Sequence, residues 1–290
     1  MPNEMKDKEY HVTSALAKRL IGNGANILLG DNHNWNFDFS CERGNEEELM
    51  KLCDMVITLG GDGTLLAASL PAVKYDKPVL GINMGRVGFL AELERNEISE
   101  TDKLFTGDFS IEERVRLDVR IEKSDGEVFC STVLNDCCIS AKSNSRVVEF
   151  DLLCAENEEV NLYWGKVSHY RADGVIFSTP TGSTAYSLSA GGVPCDPMSS
   201  VICMTPICSH SLVNSKTLVF SDKRKLALCN LDGRDTLCFA ALDGSDAMRN
   251  GEYISLTSDD LLFISVSDRR TKLVRLMGRE FYDILFDKFK

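Results

Sequence analysis

The apolar residues of the first hundred positions recur with two different periods. Val12, Ala15, Leu16 and Leu20 share one face of a helix, which Gly22 and Gly24 end before the apolar stretch 25–29, a predicted strand. Residues 45–54 (NEEELMKLCD) place carboxylates in a first helical turn, where they oppose the helix dipole, and run into Met55-Val56-Ile57-Thr58-Leu59, a predicted buried strand. Residues 65–69 then read as a helix, Pro71 and Pro78 punctuate the connection, and residues 79–83 (VLGIN) form another short buried strand. Such alternation is the sequence form of βα units on a parallel sheet. Beyond about residue 110 the pattern becomes β-rich, with alternation on both sides of Asp125-Gly126 predicting a hairpin over residues 115–134. Further strands are predicted at 175–177, 217–220, 225–228, 236–242, 253–256 and 261–266, and residues 279–286 have helical spacing. The expected architecture is α/β plus β. A Rossmann-like α/β domain spans residues 1–110, with segment 270–290 packing a C-terminal helix back on it, and a mainly β, β-sandwich domain spans 111–269.

Charge narrows the partners. With 32 Lys+Arg against 44 Asp+Glu, the 290-residue chain carries a formal net charge of −12, which opposes nucleic acid and anionic membranes as surface-wide ligands. Any anion must be bound locally. No long apolar run resembles a membrane span, and the first fifteen residues (MPNEMKDKEYHVTSA) lack the apolar core of a signal peptide, so a cytoplasmic location is expected. The eleven cysteines are odd in number and form no Cys-x-x-Cys, which reads as reduced thiols, with Cys203, Cys208, Cys229 and Cys238 in apolar surroundings. Adjacent Cys137 and Cys138 point to opposite faces of a strand and read as packing residues. No metal site is assigned to protein side chains.

Three constellations carry candidate chemistry. Gly60-Gly61-Asp62-Gly63-Thr64 follows a buried strand and precedes a helix, placing a phosphate loop of Gly60, Gly61, Gly63 and Thr64 at the carboxyl edge of a parallel sheet, where ligands bind. Asp62 is anomalous there. A carboxylate among groups arranged for an anion is costly unless it contacts a hydroxyl, takes a proton from it, or holds a metal. Residues 171–192 run from a strand into a loop crowded with small hydroxyl side chains, and Tyr186 offers a ring to a base, as a nucleotide pocket requires. Asn135-Asp136, closing the strand at Val133-Leu134, suits the two hydroxyls of a ribose or an ordinary turn.

In this order, with Gly-Ile-Asn-Met-Gly-Arg-Val-Gly-Phe-Leu at 81–90, Thr-Pro-Ile-Cys-Ser-His-Ser-Leu at 205–212 and Asp243-Gly244, the motifs resemble the NAD kinase family from about residue 10 to the C-terminus. The glycine loop alone is shared with lipid kinases and phosphofructokinases, whereas the Thr-Pro-Thr-Gly-Ser-Thr-Ala-Tyr-Ser block is specific. The resemblance implies transfer of a phosphoryl group from ATP or polyphosphate to the 2′-hydroxyl of the adenosine ribose of NAD. Asp62 would be the general base, with Gly63 beside the substrate, Phe89 an apolar wall near the adenine or a core residue, and Asn135 and Asp136 on ribose or adenine. Arg171, Asp173, Thr184, Ala185, Tyr186 and Ser189 would line the NAD site, His169 and His210 would be structural, and a homodimer or homotetramer is implied. Phosphoryl transfer calls for Mg²⁺ on the donor, and no Walker A sequence is present.

Three features depart from the family pattern. Met1-Pro2-Asn3 leads straight into KDKEY, so the short apolar strand that opens other members is expected to be missing, leaving its neighbours unpaired. Leu65-Leu66-Ala67-Ala68-Ser69 lacks the basic residue many members carry after the glycine loop, and Ser245 replaces a Gln or Glu. The alternatives are a diacylglycerol- or sphingosine-type lipid kinase, or an NAD-binding regulatory protein that has lost catalysis.

Overall fold

A computed structural model describes residues 1–31, 36–85, 88–141, 147–156, 164–211, 214–232, 237–249 and 252–288. Arg86 and Val87 of the 81–90 motif, Leu212 of the 205–212 motif, and Thr236 at the start of an expected strand lie outside these residues. The chain divides into two units, one of Met1–Arg114 with Thr271–Lys290 and one of Val115–Arg270.

The first unit is built on parallel strands. Val56–Gly60 pairs with Val79–Asn83 in register Val56↔Val79 to Gly60↔Asn83, and Val79–Asn83 also receives Leu93–Glu94 and, through Leu273↔Val79, the C-terminal end of the long strand Leu261–Arg275. All five residues of Val79–Asn83 are buried, as a central parallel strand covered on both faces requires. Helix His11–Gly22 packs Leu16 and Leu20 against Leu59, Leu80, Ile82 and Leu93. It is capped from an unexpected place, because the buried Asp7 carboxylate accepts from the N–H groups of Val12 and Thr13 at 3.1 and 2.8 Å. Helix Glu46–Leu52 starts on Asn45, whose side chain accepts from Glu48 N–H at 3.0 Å.

Two expectations for this unit are corrected. Pro71 does not end the helix after the glycine loop: the helix runs from Asp62 to Lys74 with Pro71 inside it. Its buried face (Leu65, Ala68, Ser69, Ala72 and Val73) supplies packing that outweighs the one backbone bond that proline removes. The slot beside Val56–Gly60 is also not left unpaired. Pro2 bridges Leu59 in parallel, Leu59 N–H donates to Met1 O at 3.2 Å, and Asn3 N–H donates to Leu59 O at 2.8 Å. The C-terminal segment packs into this unit. Glu92, 2% exposed, accepts from Leu276 and Met277 N–H, its side chain faces Arg275 at 3.1 Å, and helix Phe281–Lys288 sets Phe281 against Phe89.

The second unit is a β-sandwich. In one sheet, Gly174–Ser178 lies between Asp136–Ala141 and Val201–Ile207, all antiparallel, with Leu218–Ser221 beyond the latter and Cys238–Leu242 beyond the former. In the other, Val148–Glu156 is flanked by Gly165–Ala172 and Arg224–Asp232, which pairs onward with Leu261–Arg275. The hairpin at Asp125-Gly126 is present, joining Ser110–Glu122 to Val128–Val133, with Gly126 at φ +90°. The sheets meet over one core, to which Val175, Phe177, Ile139 and Met204 come from the first and Phe150, Leu152, Leu226 and Ile264 from the second. Cys137 is packed there, Cys138 at the next position of the strand is buried as well, and every cysteine is free. Cys208 is the exception to the apolar reading, being exposed at φ +47° just past a strand end.

Candidate active site

In the first unit the chain leaves strand Val56–Gly60, passes one extended residue, Gly61 (φ −128°, ψ −171°), and enters the helix at Asp62. With glycine at the cap position no side chain closes the helix start, and the first-turn N–H groups of Asp62 and Gly63 make no hydrogen bond among the described residues. Open amides at a helix start are of the kind that can receive an anion. Gly60 is required sterically, because a Cβ there would lie 2.1 Å from Thr64 Oγ1.

Asp62 is less anomalous than the sequence suggests. It is the first residue of the helix, where a carboxylate is favoured by the dipole. Oδ2 also accepts from Phe89 N–H at 2.8 Å and Oδ1 from Leu90 N–H at 3.3 Å, which fixes the direction of the carboxylate. Gly88 makes this possible, since a Cβ on it would fall 2.0 Å from Asp62 Oδ1. Phe89 therefore serves Asp62 through its backbone, while its half-buried ring lies 6.1 Å from that of Phe281, centroid to centroid.

In the second unit, Asn135 and Asp136 open the strand Asp136–Ala141 instead of closing the preceding one, and the turn before it is held by Asp243. One Asp243 oxygen accepts from Leu134 N–H at 2.9 Å and the other from Asn135 and Asp136 N–H at 2.6 and 3.2 Å. Asp243 N–H in turn donates to Asp136 O at 2.9 Å. Behind this turn lies Arg116, with a fully buried side chain 3.9 Å from Asp243 and a 2.9 Å bond to Thr132 O. Burial pulls the Arg116 guanidinium down to about 10, against the pull of Asp243 and Asp118. Burial, and then the charge of Asp243, push the Asp136 carboxyl up to about 7. Burial likewise raises Asp243, against the three amides and Arg116.

The hydroxyl-rich loop is seated on the same turn. Thr179 N–H donates to Asn135 O at 2.9 Å, Thr179 Oγ1 donates to Leu134 O at 2.6 Å, and Gly182 passes so close that a Cβ would lie 2.0 Å from Asn135 O. Thr179, Thr181, Ser183 and Ser187 are buried, so most of these hydroxyls stitch the loop together and do not face a ligand. Ser183 Oγ donates to Pro180 O at 2.6 Å and accepts from Cys195 N–H at 2.8 Å, while Ser187 Oγ is 3.0 Å from Thr205 Oγ1. What remains accessible is Thr184 and Ala185 in part, Ser189, and Tyr186, a residue 48% exposed. Desolvation raises the Tyr186 hydroxyl, with smaller contributions from Asp136 and Asp173 among its charged neighbours. Arg171 is exposed and its guanidinium faces Glu149 at 3.5 Å, while Asp173 faces His210 at 3.7 Å. No hydrogen bond or ion pair among the described residues joins Arg171 or Ser189 to Asn135 or Asp136. His169 is tied to Asp151 at 2.8 Å.

The structure thus assembles Asp62 with the glycine loop, and Asn135 and Asp136 with the Thr179–Gly182 segment. Arg116, Asp243 as a brace and Gly88 carry parts the sequence reading left without a role. Asp243-Gly244 stood in the sequence only as one of the motifs of the family resemblance; both residues take positive φ, +49° and +75°. Nothing in the pattern around Arg116 separates it from the other charged residues of an alternating strand. Among the described residues no group of three or more His, Cys, Asp or Glu is arranged to hold a metal ion, and no helix is long and apolar enough to cross a membrane.

Residues 4–109 match the ATP-NAD kinase N-terminal domain and residues 134–276 the ATP-NAD kinase C-terminal domain. The NAD kinase of Ruminiclostridium cellulolyticum is 33% identical over 288 residues, covering 99% of this chain and 95% of that protein. The NAD kinase of Acetivibrio thermocellus is 34% identical over 290 residues, with 99% and 95% covered. Among solved structures, yeast NADH kinase complexed with NADH superposes with a TM-score of 0.83 at 20% identity, over 100% of this chain and 86% of that one. An NAD kinase from Archaeoglobus fulgidus in complex with ATP gives 0.65 at 22% identity, over 97% and 94%. Both share the fold.

Proposed function

The chain belongs to the ATP-NAD kinase family, and we propose that it transfers a phosphoryl group from ATP to the 2′-hydroxyl of the adenosine ribose of NAD, giving NADP. The observation that carries this reading is the Asp62 carboxylate, held by the Phe89 and Leu90 amides beside a loop whose first-turn N–H groups are open. Asp62 takes the proton of the 2′-hydroxyl as the ribose oxygen attacks the terminal phosphorus of the donor, and the bond to the leaving nucleoside diphosphate breaks. The amides of the glycine loop stabilise phosphate charge. Asn135 and Asp136, set by the Asp243 brace, hold hydroxyl or adenine groups of NAD, and Tyr186 presents its exposed ring to a base. Gly63, Asp173, Thr184, Ala185, Ser189 and Arg171 complete the contacts of this reading, with Arg171 first releasing Glu149.

Magnesium enters as part of the donor. Bound to the donor's phosphates, the cation would neutralise the migrating phosphoryl charge, as phosphoryl transfer requires. We place the enzyme in the cytoplasm as a homodimer or homotetramer, on the family resemblance, with no role in nucleic-acid or membrane binding given its charge of −12. No observation favours the lipid-kinase or the non-catalytic alternative.

The test is NADP formation from NAD, ATP and Mg²⁺ by wild type and Asp62→Asn. The variant keeps the wild-type melting temperature and loses roughly 10²–10⁴-fold in kcat, the range of a positioned general base. Wild-type turnover in Asp62→Asn removes the carboxylate from the mechanism, and wild type inert towards NAD removes the function.

A further inference from the structure

Cys195 and Cys203 bring their sulfurs to 3.4 Å from each other. The two thiols differ in setting. Cys203 is wholly buried in strand Val201–Ile207 and is paired on both sides, with Ser178 in one neighbouring strand and Val219 in the other, whereas Cys195 is half-buried in the loop before that strand. Ile202 and Met204 point into the sandwich core, so Cys203 between them turns to the opposite face of the sheet. Ser178 and, one strand further, Asp136 stand in the same row on that face. Ser178 Oγ is buried there and has no hydrogen-bond partner among the described residues.

This arrangement divides the chemistry between the two sulfurs. Burial raises the thiols of Cys137, Cys138 and Cys238, which leaves them inert. Cys195 is shifted the other way, because the hydrogen bond from Cys203 outweighs burial and brings it down to about 7, while the same bond pushes Cys203 up. The thiolate therefore sits on the residue that solvent reaches, and the proton on the one it does not. The unused Ser178 hydroxyl opposite Cys203 is a donor ready for that sulfur once it loses its proton. The pair is also joined to the hydroxyl-rich segment. Cys195 N–H donates to Ser183 Oγ at 2.8 Å, and Ser187 Oγ lies 3.0 Å from Thr205 Oγ1, on the strand that carries Cys203.

We propose that Cys195 and Cys203 are a reversible dithiol–disulfide site, closed by a low-molecular-weight disulfide, and that closing it weakens NAD binding. The effect on NAD rests on the NAD kinase reading above; the thiol chemistry does not. The Cys195 thiolate attacks one sulfur of the oxidant, forming a mixed disulfide and releasing one thiolate. Cys203 then gives up its proton to that leaving thiolate and attacks the Cys195 sulfur; the mixed disulfide breaks and the second thiol departs after protonation from solvent. Two protein thiols are oxidised by two electrons, and one small disulfide is reduced to two thiols. A disulfide holds its sulfurs about 2.05 Å apart, so the pair must close by about 1.4 Å from its present 3.4 Å. Cys203 is held by strands on both sides, so the loop of Cys195 makes the movement and draws its N–H from Ser183. Ser183 directly precedes Thr184, Ala185 and Tyr186, which that reading sets against NAD.

The test treats wild type, Cys195→Ser and Cys203→Ala with oxidised glutathione, alkylates the remaining thiols in denaturant and maps the peptides by mass spectrometry, with NAD binding measured by calorimetry before oxidation, after it, and after dithiothreitol. Wild type should yield a Cys195–Cys203 linked peptide that dithiothreitol removes. Cys203→Ala should stop at glutathione on Cys195, and Cys195→Ser, altered at a half-buried position, should leave Cys203 unmodified. Oxidised wild type should bind NAD roughly 3- to 10-fold more weakly, the worth of one lost neutral hydrogen bond, and recover on reduction, while Cys195→Ser does not respond to the oxidant. Absence of the linked peptide, or glutathione retained on Cys195 of wild type as the end product, overturns the proposal. A linked peptide with NAD affinity within twofold of the reduced protein overturns the effect on the NAD site. Should reduced wild type not bind NAD, the NAD kinase reading fails while the peptide map still decides the thiol pair.

Discussion

At the scale of single residues, glycines here are defined by what stands where their side chain would be. Gly60 yields to Thr64, Gly61 to Lys6, and Gly88 to the Asp62 carboxylate, at would-be distances of 2.1, 2.4 and 2.0 Å. The Gly88 case separates catalysis from stability. In Gly88→Ala the added methyl must displace the carboxylate from the Phe89 and Leu90 amides, because the alternative is to move the backbone that supplies them. A displacement near 1 Å at a reacting group costs about 10²-fold in rate. The expected outcome is a fall in kcat of that order, with the melting temperature close to wild type. Equal kcat in Gly88→Ala and wild type would mean that Asp62 needs no fixed direction.

At the scale of elements, the turn before Asp136–Ala141 depends on a residue more than a hundred positions away. Asp243 satisfies three consecutive amides and faces the buried Arg116 at 3.9 Å, so Asp243→Ala leaves orphaned N–H groups and a buried cation at once. Removing one partner of such a pair costs about 3 kcal/mol or more. We expect a matching loss of stability by urea unfolding, and weakened NAD binding even where the variant is folded, since Asn135 and Asp136 lose their brace. Arg116→Met with Asp243→Asn should recover part of the stability, because it removes the buried cation while keeping an acceptor for the amides. This long-range support is also where sequence reading stopped. Strands with a local signature were legible: Val79–Asn83 as a wholly apolar run, and the hairpin at Asp125-Gly126 from alternation around a turn. Gly165–Ala172 was not, because Lys166, His169 and Arg171 leave only part of one face apolar and the strand lies at a sheet edge. The glycine loop and the Asn135–Asp136 turn were visible as local motifs. Arg116 was not, since its role depends on a neighbour remote in sequence, Asp243.

At the scale of the whole molecule, the excess of acidic groups contains carboxylates that respond to folding in opposite directions. Asp151 is raised by burial, but hydrogen bonds from Lys166, His169 and Asn230 outweigh this and bring it down to about 2; Glu112 and Asp260 are lowered in the same sense by Arg275 and Lys123. These groups stabilise the fold above the unfolded carboxylate range near pH 4, and that contribution is lost as pH falls towards their folded values. Asp136 behaves in reverse. Its pKa rises to about 7 on folding, so it stabilises the fold fully below about pH 4, and that stability is lost as pH rises through about 7. Stability should therefore peak at mildly acidic pH, between these two limits. The descending side has a slope of at most about 1.4 kcal/mol per pH unit from this one proton. Asp136→Asn, which cannot ionise beside Asp243, isolates the effect from the general repulsion of an acidic chain. Melting temperatures across pH 4.5 to 8.5 should fall less steeply above the maximum in the variant, and parallel profiles for the two proteins would show that Asp136 is already ionised in the folded state.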